Sequence, residues 1–578
     1  MLWLTGTAFG IMALNVGSDT ESCNVSNSKK PVTTKVFHPG RAPIRLAANK
    51  PMPKINLSPT DLIVMVVYLV GIVYWGLRNS SRKSAEGYFL GGRDMPWPVV
   101  GLSMFATVVS SSALVGWAGD AYSTGISVFN YGLFAAIIPV IFFLVFFLPF
   151  YLRNRIYTLP EFLEGRFDVR SRTYLSVLTV IGYVFADLAV TLYAGSLMLH
   201  MVFPQVSIQT IIWGLAILGA SYTLIGGLSA VMRVELIQAF VLMTGSAILT
   251  FTAFAKAGGW SAVMHAAPPG HLSLIRPLND PSVPWPTLFI SLPLLGFYYW
   301  GLSQAMVQRT LSARNMEHGR WGNLLAGALN FVIFFLMVLP GVAGRVLFPG
   351  LEKGDQIYPK LVFELLPSGL KGLVLIGFIA AMTSVLTSLL NSAQTLVTMD
   401  LVTKLRPGIT SRQQVVAGSV AGIVIIAVAA LWSPQIAKFD SMVKYFQQFL
   451  SYLTPPVIAV FLCGLFWKRA TATGAFVGLI SGFVISISLL LGIKHTPLAD
   501  WNFLYVAPLL FVVALSIIIP VSLATKAPSA DVVARFVWNP AFYRDETHDL
   551  AGAPWFGNFR VLSILLLVVM AVFVYIWR

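Results

Sequence analysis

The sequence predicts an all-α polytopic membrane protein, and two observations carry the prediction. Of 578 residues, 57% are hydrophobic and only 11% are charged. A soluble chain of this length needs more polar surface to cover its cores, whereas lipid-facing helices do not. Apolar runs also follow one another from Leu62 to Trp577. Each is near the ~20 residues that cross a hydrocarbon core. The runs are continuous rather than alternating, so they predict helices and not the strands of a barrel.

Fourteen runs fit, at 58–77, 95–117, 128–150, 173–199, 207–228, 234–256, 286–308, 322–348, 371–403, 413–432, 441–466, 470–492, 501–524 and 559–577. Basic residues orient them. Arg78, Arg82, Lys83 and Arg93 follow the first span. Arg153, Arg155, Arg166, Arg170 and Arg172 follow the third. Arg309, Arg314 and Arg320 follow the seventh, Lys404, Arg406 and Arg412 the ninth, and Lys468 and Arg469 the eleventh. The loops after the second and fourth spans carry none. Basic loops stay cytoplasmic, so both termini of the bundle are expected outside a cell (inner) membrane. The same placement explains the net charge of +16 without nucleic-acid binding. Two cysteines, Cys23 and Cys463, give neither a disulfide framework nor a zinc site.

Residues 1–57 fit this pattern poorly. Lys29, Lys30, Lys35, Arg41, Arg45, Lys50 and Lys54 would lie outside. The stretch reads as an unusual leader or, preferably, as an extension ahead of a true start at Met52. Residues 58–94 hold the first accessory helix and a cytoplasmic loop, 95–466 the core, and 467–578 further accessory helices. Within the core, the second span is interrupted by Thr107–Ala113 and the seventh by Pro293, Gly296 and Gly301. Broken helices at matching positions mark inverted repeats, so spans 2–6 and 7–11 read as two five-helix units.

The ninth span carries the densest polar pattern. Ser384, Thr387, Ser388 and Asn391 stand at i, i+3, i+4 and i+7, on one helix face. Their oxygens suit a hard monovalent cation, while the bland role is bonding back to the preceding turn or to a neighbouring helix. Ionisable residues within spans are expensive and so are functional candidates. Glu235 pairs with Arg233 at the interface or faces a ligand. Asp187, midway along the fourth span, has the fewest bland explanations, and Lys444 is expected to snorkel. Gln447 and Gln448 precede Pro455-Pro456, and either amide suits a hydroxylated or amide-bearing solute. Tyr298, Tyr299 and Trp300 flank the seventh-span break, as a gate or a stacking surface. No HExxH, P-loop or GxSxG motif is present, so an enzyme is the least favoured class.

YFLGGRDMPWPVVGLSMFA (88–106), YTLIGGLSAV (222–231), YYWGLSQAMVQRTLSA (298–313), SLLNSAQTLVTMDL (388–401), SYLTPPVIAVFLCGLFWKR (451–469) and GAFVGLISG (474–482) resemble, in order, the signatures of the sodium:solute symporter family on its sodium/glucose cotransporter side. The resemblance covers about residues 57–525. It implies a LeuT-type five-plus-five inverted repeat with alternating access and sodium as the coupling ion. It also implies a common sodium site at the carbonyls of Ala106, Val109 and Ala381 and the hydroxyl of Ser384. Val385 replaces that site's second serine. A further sodium site maps onto Glu235, Ser384, Thr387 and Ser388. For the solute, the resemblance implies Gln447, the gate pair Tyr299 and Trp300, Ser112, and Asn330 in place of a lysine. Val108, Ala113 and Gly132 stand where sugar carriers have polar groups, so a hexose is not the default cargo. Proton coupling through Glu235 or Asp187, uniport, or a transporter-like solute sensor are the alternatives.

Overall fold

The computed structural model describes residues 59–78, 85–367, 369–439 and 441–578. The expected extension 1–57, with Met52, lies outside the described residues, as do Arg82 and Lys83. Among the described residues the chain is built of helices: α1 Pro59–Arg78, α2 Trp97–Val108, α3 Ser111–Thr124, α4 Ile126–Phe146, α5 Val169–Val202, α6 Ile208–Lys256, α7 Ser291–Phe297, α8 Gln304–Leu311, α9 Met316–Leu347, α10 Leu370–Leu405, α11 Ser411–Trp432, α12 Met442–Leu453, α13 Pro455–Phe466, α14 Ala472–Gly492, α15 Phe503–Ala524 and α16 Phe559–Ile576.

Nine of the described helices are long and apolar enough to cross a membrane. Two bent pairs, α2 with α3 at 57° and α12 with α13 at 47°, bring the number to eleven. These eleven coincide with all the expected spans except the first, fifth and seventh. The fifth and sixth run on without a break in helical hydrogen bonding but fold back on each other: a Cβ on Gly219 would stand 2.9 Å from Leu386, while Gln238 bonds Thr383 at 2.9 Å and Glu235 bonds Ser384 at 3.3 Å. They are the apolar stretches Ile208–Ser221 and Ala230–Lys256 of one 49-residue helical run, α6. The seventh is divided among α7, a π turn at Tyr298–Leu302, an extended Ser303 and α8.

Helix α10 is the axis of the bundle. Its apolar stretch is 94% buried, against 22% for α16 at the periphery. Small residues allow this. A Cβ on Gly377 would stand 3.3 Å from the Cα of Leu242, and one on Gly245 3.3 Å from the Cα of Val374, so α6 and α10 approach backbone to backbone.

Contacts between loops sort the helix ends onto two faces. On one face Arg314 pairs with Asp94, Lys404 with Glu164, and Arg320 with Glu546, while Arg535 bonds Asn154 at 2.8 Å and Arg469 bonds the Thr525 carbonyl at 2.7 Å. These join the loops after the first, third, seventh, ninth, eleventh and thirteenth spans. On the other face Ile126 N–H donates to His271 O, Leu274 N–H to Trp577 O, Arg345 to Tyr122 O, Asn502 to Pro281 O and Ser441 to Asp120. These join the ends of even-numbered spans. The alternation read from the basic residues is therefore present in the packing. Several of those residues are not in loops, however: Arg170 and Arg172 open α5, Arg320 lies in α9, Lys404 in α10 and Arg412 in α11. Arg166 is buried and donates to Gly464 O at 2.8 Å and Trp467 O at 3.0 Å. Arg309 is buried within α8.

Candidate functional site

The break in the second span frees backbone oxygens at the centre of the fold. Val109, with φ −80° and ψ 68°, leaves the helical region. Its N–H still bonds Phe105 O, but Ser110 N–H turns to Val108 O. Ala106 O thus loses its intrahelical donor and instead accepts from Ser384 Oγ at 3.3 Å. Ser110 then caps α3 by accepting from Ala113 N–H at 2.9 Å. Ala381 lies one turn before Ser384 on α10, and it, Val109 and Ala106 are all buried. Ala106 and Ser384 of the expected common sodium site are in direct contact, beside the break that Val109 forms.

The polar stripe of α10 divides on inspection. Ser384 and Ser388 both reach Glu235 Oε1, at 3.3 and 2.5 Å. Thr387 does not: its hydroxyl bonds back to Ser384 O at 2.9 Å, the ordinary fate of a helical threonine. Asn391 is buried, with neither end of its amide bonded among the described residues. Thr383 is engaged by Gln238 at 2.9 Å and by Ile379 O, so it does not fill the place left by Val385.

The second expected sodium site already holds a cation. The Arg309 guanidinium lies among Glu235, Ser388 and Ser103. Nη2 is 2.7 Å from Glu235 Oε1, Nε is 2.9 Å from Ser103 Oγ, and Nη2 also bonds Ser388. Ser103 closes the ring on Glu235 Oε2. Neither Glu235 nor Arg309 is exposed at all. Glu235 therefore faces Arg309, and not the exposed Arg233 expected from their adjacency. The signal available in the sequence was charge balance, since a carboxylate this deep requires a countercharge.

Beside these residues lies a cavity of about 130 Å³. All five expected solute residues line it: Gln447, Tyr299, Trp300, Ser112 and Asn330. Tyr299 and Trp300 both reach the cavity from the π turn at Tyr298–Leu302. Val108, Ala113 and Val385 form apolar wall, and Gly132 is not part of it. Asp187 joins the lining from a second π turn, Tyr183–Leu188 of α5. Lys444 is exposed, as expected, and Gln448 does not line the cavity.

Comparison with known proteins agrees with this geometry. The sodium:solute symporter family profile matches residues 88–482. Sodium/myo-inositol cotransporter 2 of Bos taurus is 34% identical over 539 residues, covering 84% of this chain and 80% of its own. Sodium/glucose cotransporter 1 of Ovis aries is 34% identical over 552 residues, covering 85% and 83%. A solved structure of a substrate-bound, outward-open Na+-coupled sialic acid symporter superposes with a TM-score of 0.72 at 23% identity, covering 82% of this chain and all of that one. A nucleobase-cation-symport-1 family transporter shares the fold more distantly, with a TM-score of 0.51 at 12% identity. The chain belongs to the sodium:solute symporter family, as an integral membrane protein with sodium as its coupling ion and a small solute as its cargo.

Proposed function

We propose that this chain moves a small organic solute from the cavity between Tyr299 and Gln447 by alternating access, and does so as a carrier rather than an enzyme. Sodium binds at Ala106, Val109, Ala381 and Ser384. The observation that carries the reading is the contact between Ser384 Oγ and the freed carbonyl of Ala106. It joins the broken helix to α10 at the edge of the solute cavity. A cation bridging those oxygens would stabilise one arrangement of the two helices over the other, which is how an ion biases a two-state carrier. The relatives' names, which give glucose and myo-inositol as cargo, support a polar organic solute. Val108 and Ala113 in the cavity wall argue against simple carry-over of a sugar site.

The core is assigned to residues 95–466, with 58–94 and 467–578 as accessory segments, fourteen crossings in all, and the loops rich in arginine on the cytoplasmic side of a cell (inner) membrane. The test is uptake into proteoliposomes with and without an inward sodium gradient, over a panel of sugars, polyols and amines. Accumulation that requires sodium supports the proposal. Accumulation driven by a pH gradient alone overturns it in favour of proton coupling.

A further inference from the structure

The cavity wall holds a single carboxyl group, that of Asp187, and no lysine, arginine or histidine lines it. Among the described residues Asp187 forms no ion pair. The buried Arg309 is committed to Glu235, Ser103 and Ser388. A carboxylate at this depth without a cation is costly, and the missing partner is expected from whatever fills the cavity.

Two further features describe that partner. Asn330, also in the wall, spends its amide N–H on Ala326 O at 2.9 Å, while its Oδ1 is buried and unbonded. The cavity thus offers acceptors, at Asp187 and Asn330, that ask for a donor. Five aromatic residues, Trp117, Tyr131, Tyr299, Trp300 and Phe446, also line it, beside aliphatic side chains and the polar groups of Ser112 and Gln447. Aromatic faces attract cations through the ring quadrupole, most strongly where water is excluded. A neutral polyol would satisfy the hydroxyl and amide groups but leave the carboxylate uncompensated.

We infer that the transported solute is a small organic cation bearing an ammonium N–H group, which Asp187 and Asn330 accept while the aromatic wall covers the rest. The inference rests on the symporter reading above and narrows its cargo. Sodium itself is the competing occupant of Asp187, and a simple test separates the two.

Purified protein in sodium buffer is titrated with two isosteric pairs, glucosamine against glucose and tyramine against tyrosol, and binding is read from the melting temperature. The expected result is that, in at least one pair, the ammonium member half-saturates at about tenfold lower concentration, as a hydrogen bond to a charged group allows. In Asp187→Asn, checked for folding by gel filtration, that ratio falls to about one, and in Asp187→Glu it persists. Equal or tighter binding of the neutral member in both pairs overturns the inference. So does no binding of either ammonium compound, or a charge preference that survives in Asp187→Asn. If Asp187→Asn shifts only the half-saturating sodium concentration, sodium is the occupant and the inference fails. Sodium-driven uptake of neutral solutes would leave the symporter reading standing when the cation inference falls. Absence of any sodium-driven uptake removes the symporter reading itself.

Discussion

Arg309 and Glu235 form a fully buried ion pair, 2.7 Å apart, at the position where the family resemblance places a second sodium ion. A tethered guanidinium does there what a bound cation would do, without dissociating. On the proposal above, coupling would then rest on the Ala106–Ser384 site alone. The sodium activation curve of uptake should have a Hill coefficient of about one, the value for a single site. A coefficient near two would show that sodium displaces Arg309 or binds beside it.

The same pair governs stability. Glu235→Gln strands a buried guanidinium and should cost about 3–5 kcal/mol, whereas replacing both partners with Gln and Met should recover much of the loss. Thermal melts of the two single variants and the double variant decide this. Additive losses would mean the two side chains act independently.

Ser384 touches both Ala106 O and Glu235, while Thr387 touches only its own helix. Ser384→Ala should raise the half-saturating sodium concentration by roughly tenfold, from the loss of about 1–2 kcal/mol of oxygen contact. Thr387→Ala should change it little. The comparison is made on sodium activation curves, and equal effects would remove the assignment of Ser384.

Val385 leaves the common site one hydroxyl short, and Thr383, bonded to Gln238, does not compensate. Val385→Ser should therefore lower the half-saturating sodium concentration, by about fivefold if one weak ligand is added. Because Val385 also lines the cavity, the solute half-saturation should move as well. An unchanged sodium curve would place the ion elsewhere.

Asp355, in the loop between α9 and α10, has its carboxyl pushed up to about 7. Burial is the main cause, the charge of Asp120 adds to it, and Met442 N–H and Lys353 oppose it. The folded protein thus holds a proton there that the unfolded chain has released above the ordinary carboxylate value of 3.8. Stability contributed by that proton is full below 3.8 and is lost as pH rises through about 7. Asp355→Asn should melt higher than the parent at pH 8, and the gap should close toward pH 4. A constant gap would mean that the carboxyl does not titrate in this window.

Sidedness has its own test. Leu278, 62% exposed, lies in the loop between α6 and α7, and Arg170 lies on the opposite face. In intact cells an impermeant thiol reagent should modify Leu278→Cys and spare Arg170→Cys. The reverse pattern would invert the orientation.

What was legible in the sequence was what hydrophobicity and backbone chemistry write locally. The interruption at Thr107–Ala113 announced the α2–α3 bend, and the aromatic run at Tyr298–Trp300 announced a cavity wall. Thr387 misled because spacing gives a face but not a partner. Its hydroxyl can be satisfied one turn away on the same helix, and it is. Arg309 was hidden for another reason. An arginine nine residues past an aromatic cluster reads as a loop marker until the fold brings α6 against it, 74 positions away in sequence.

The bend between α2 and α3 has an electrical consequence. Each half-helix carries its own dipole, worth roughly half an elementary charge at each end, and at Val109 the negative end of α2 meets the positive end of α3. A sodium ion at the proposed Ala106 site would be held by the first of these partial charges. When it leaves, no ionised side chain is stranded at that point, because the field comes from peptide groups that are neutral as a whole. On that assignment the empty carrier would return across the membrane at a lower electrostatic cost than one whose ion site was built from a carboxylate.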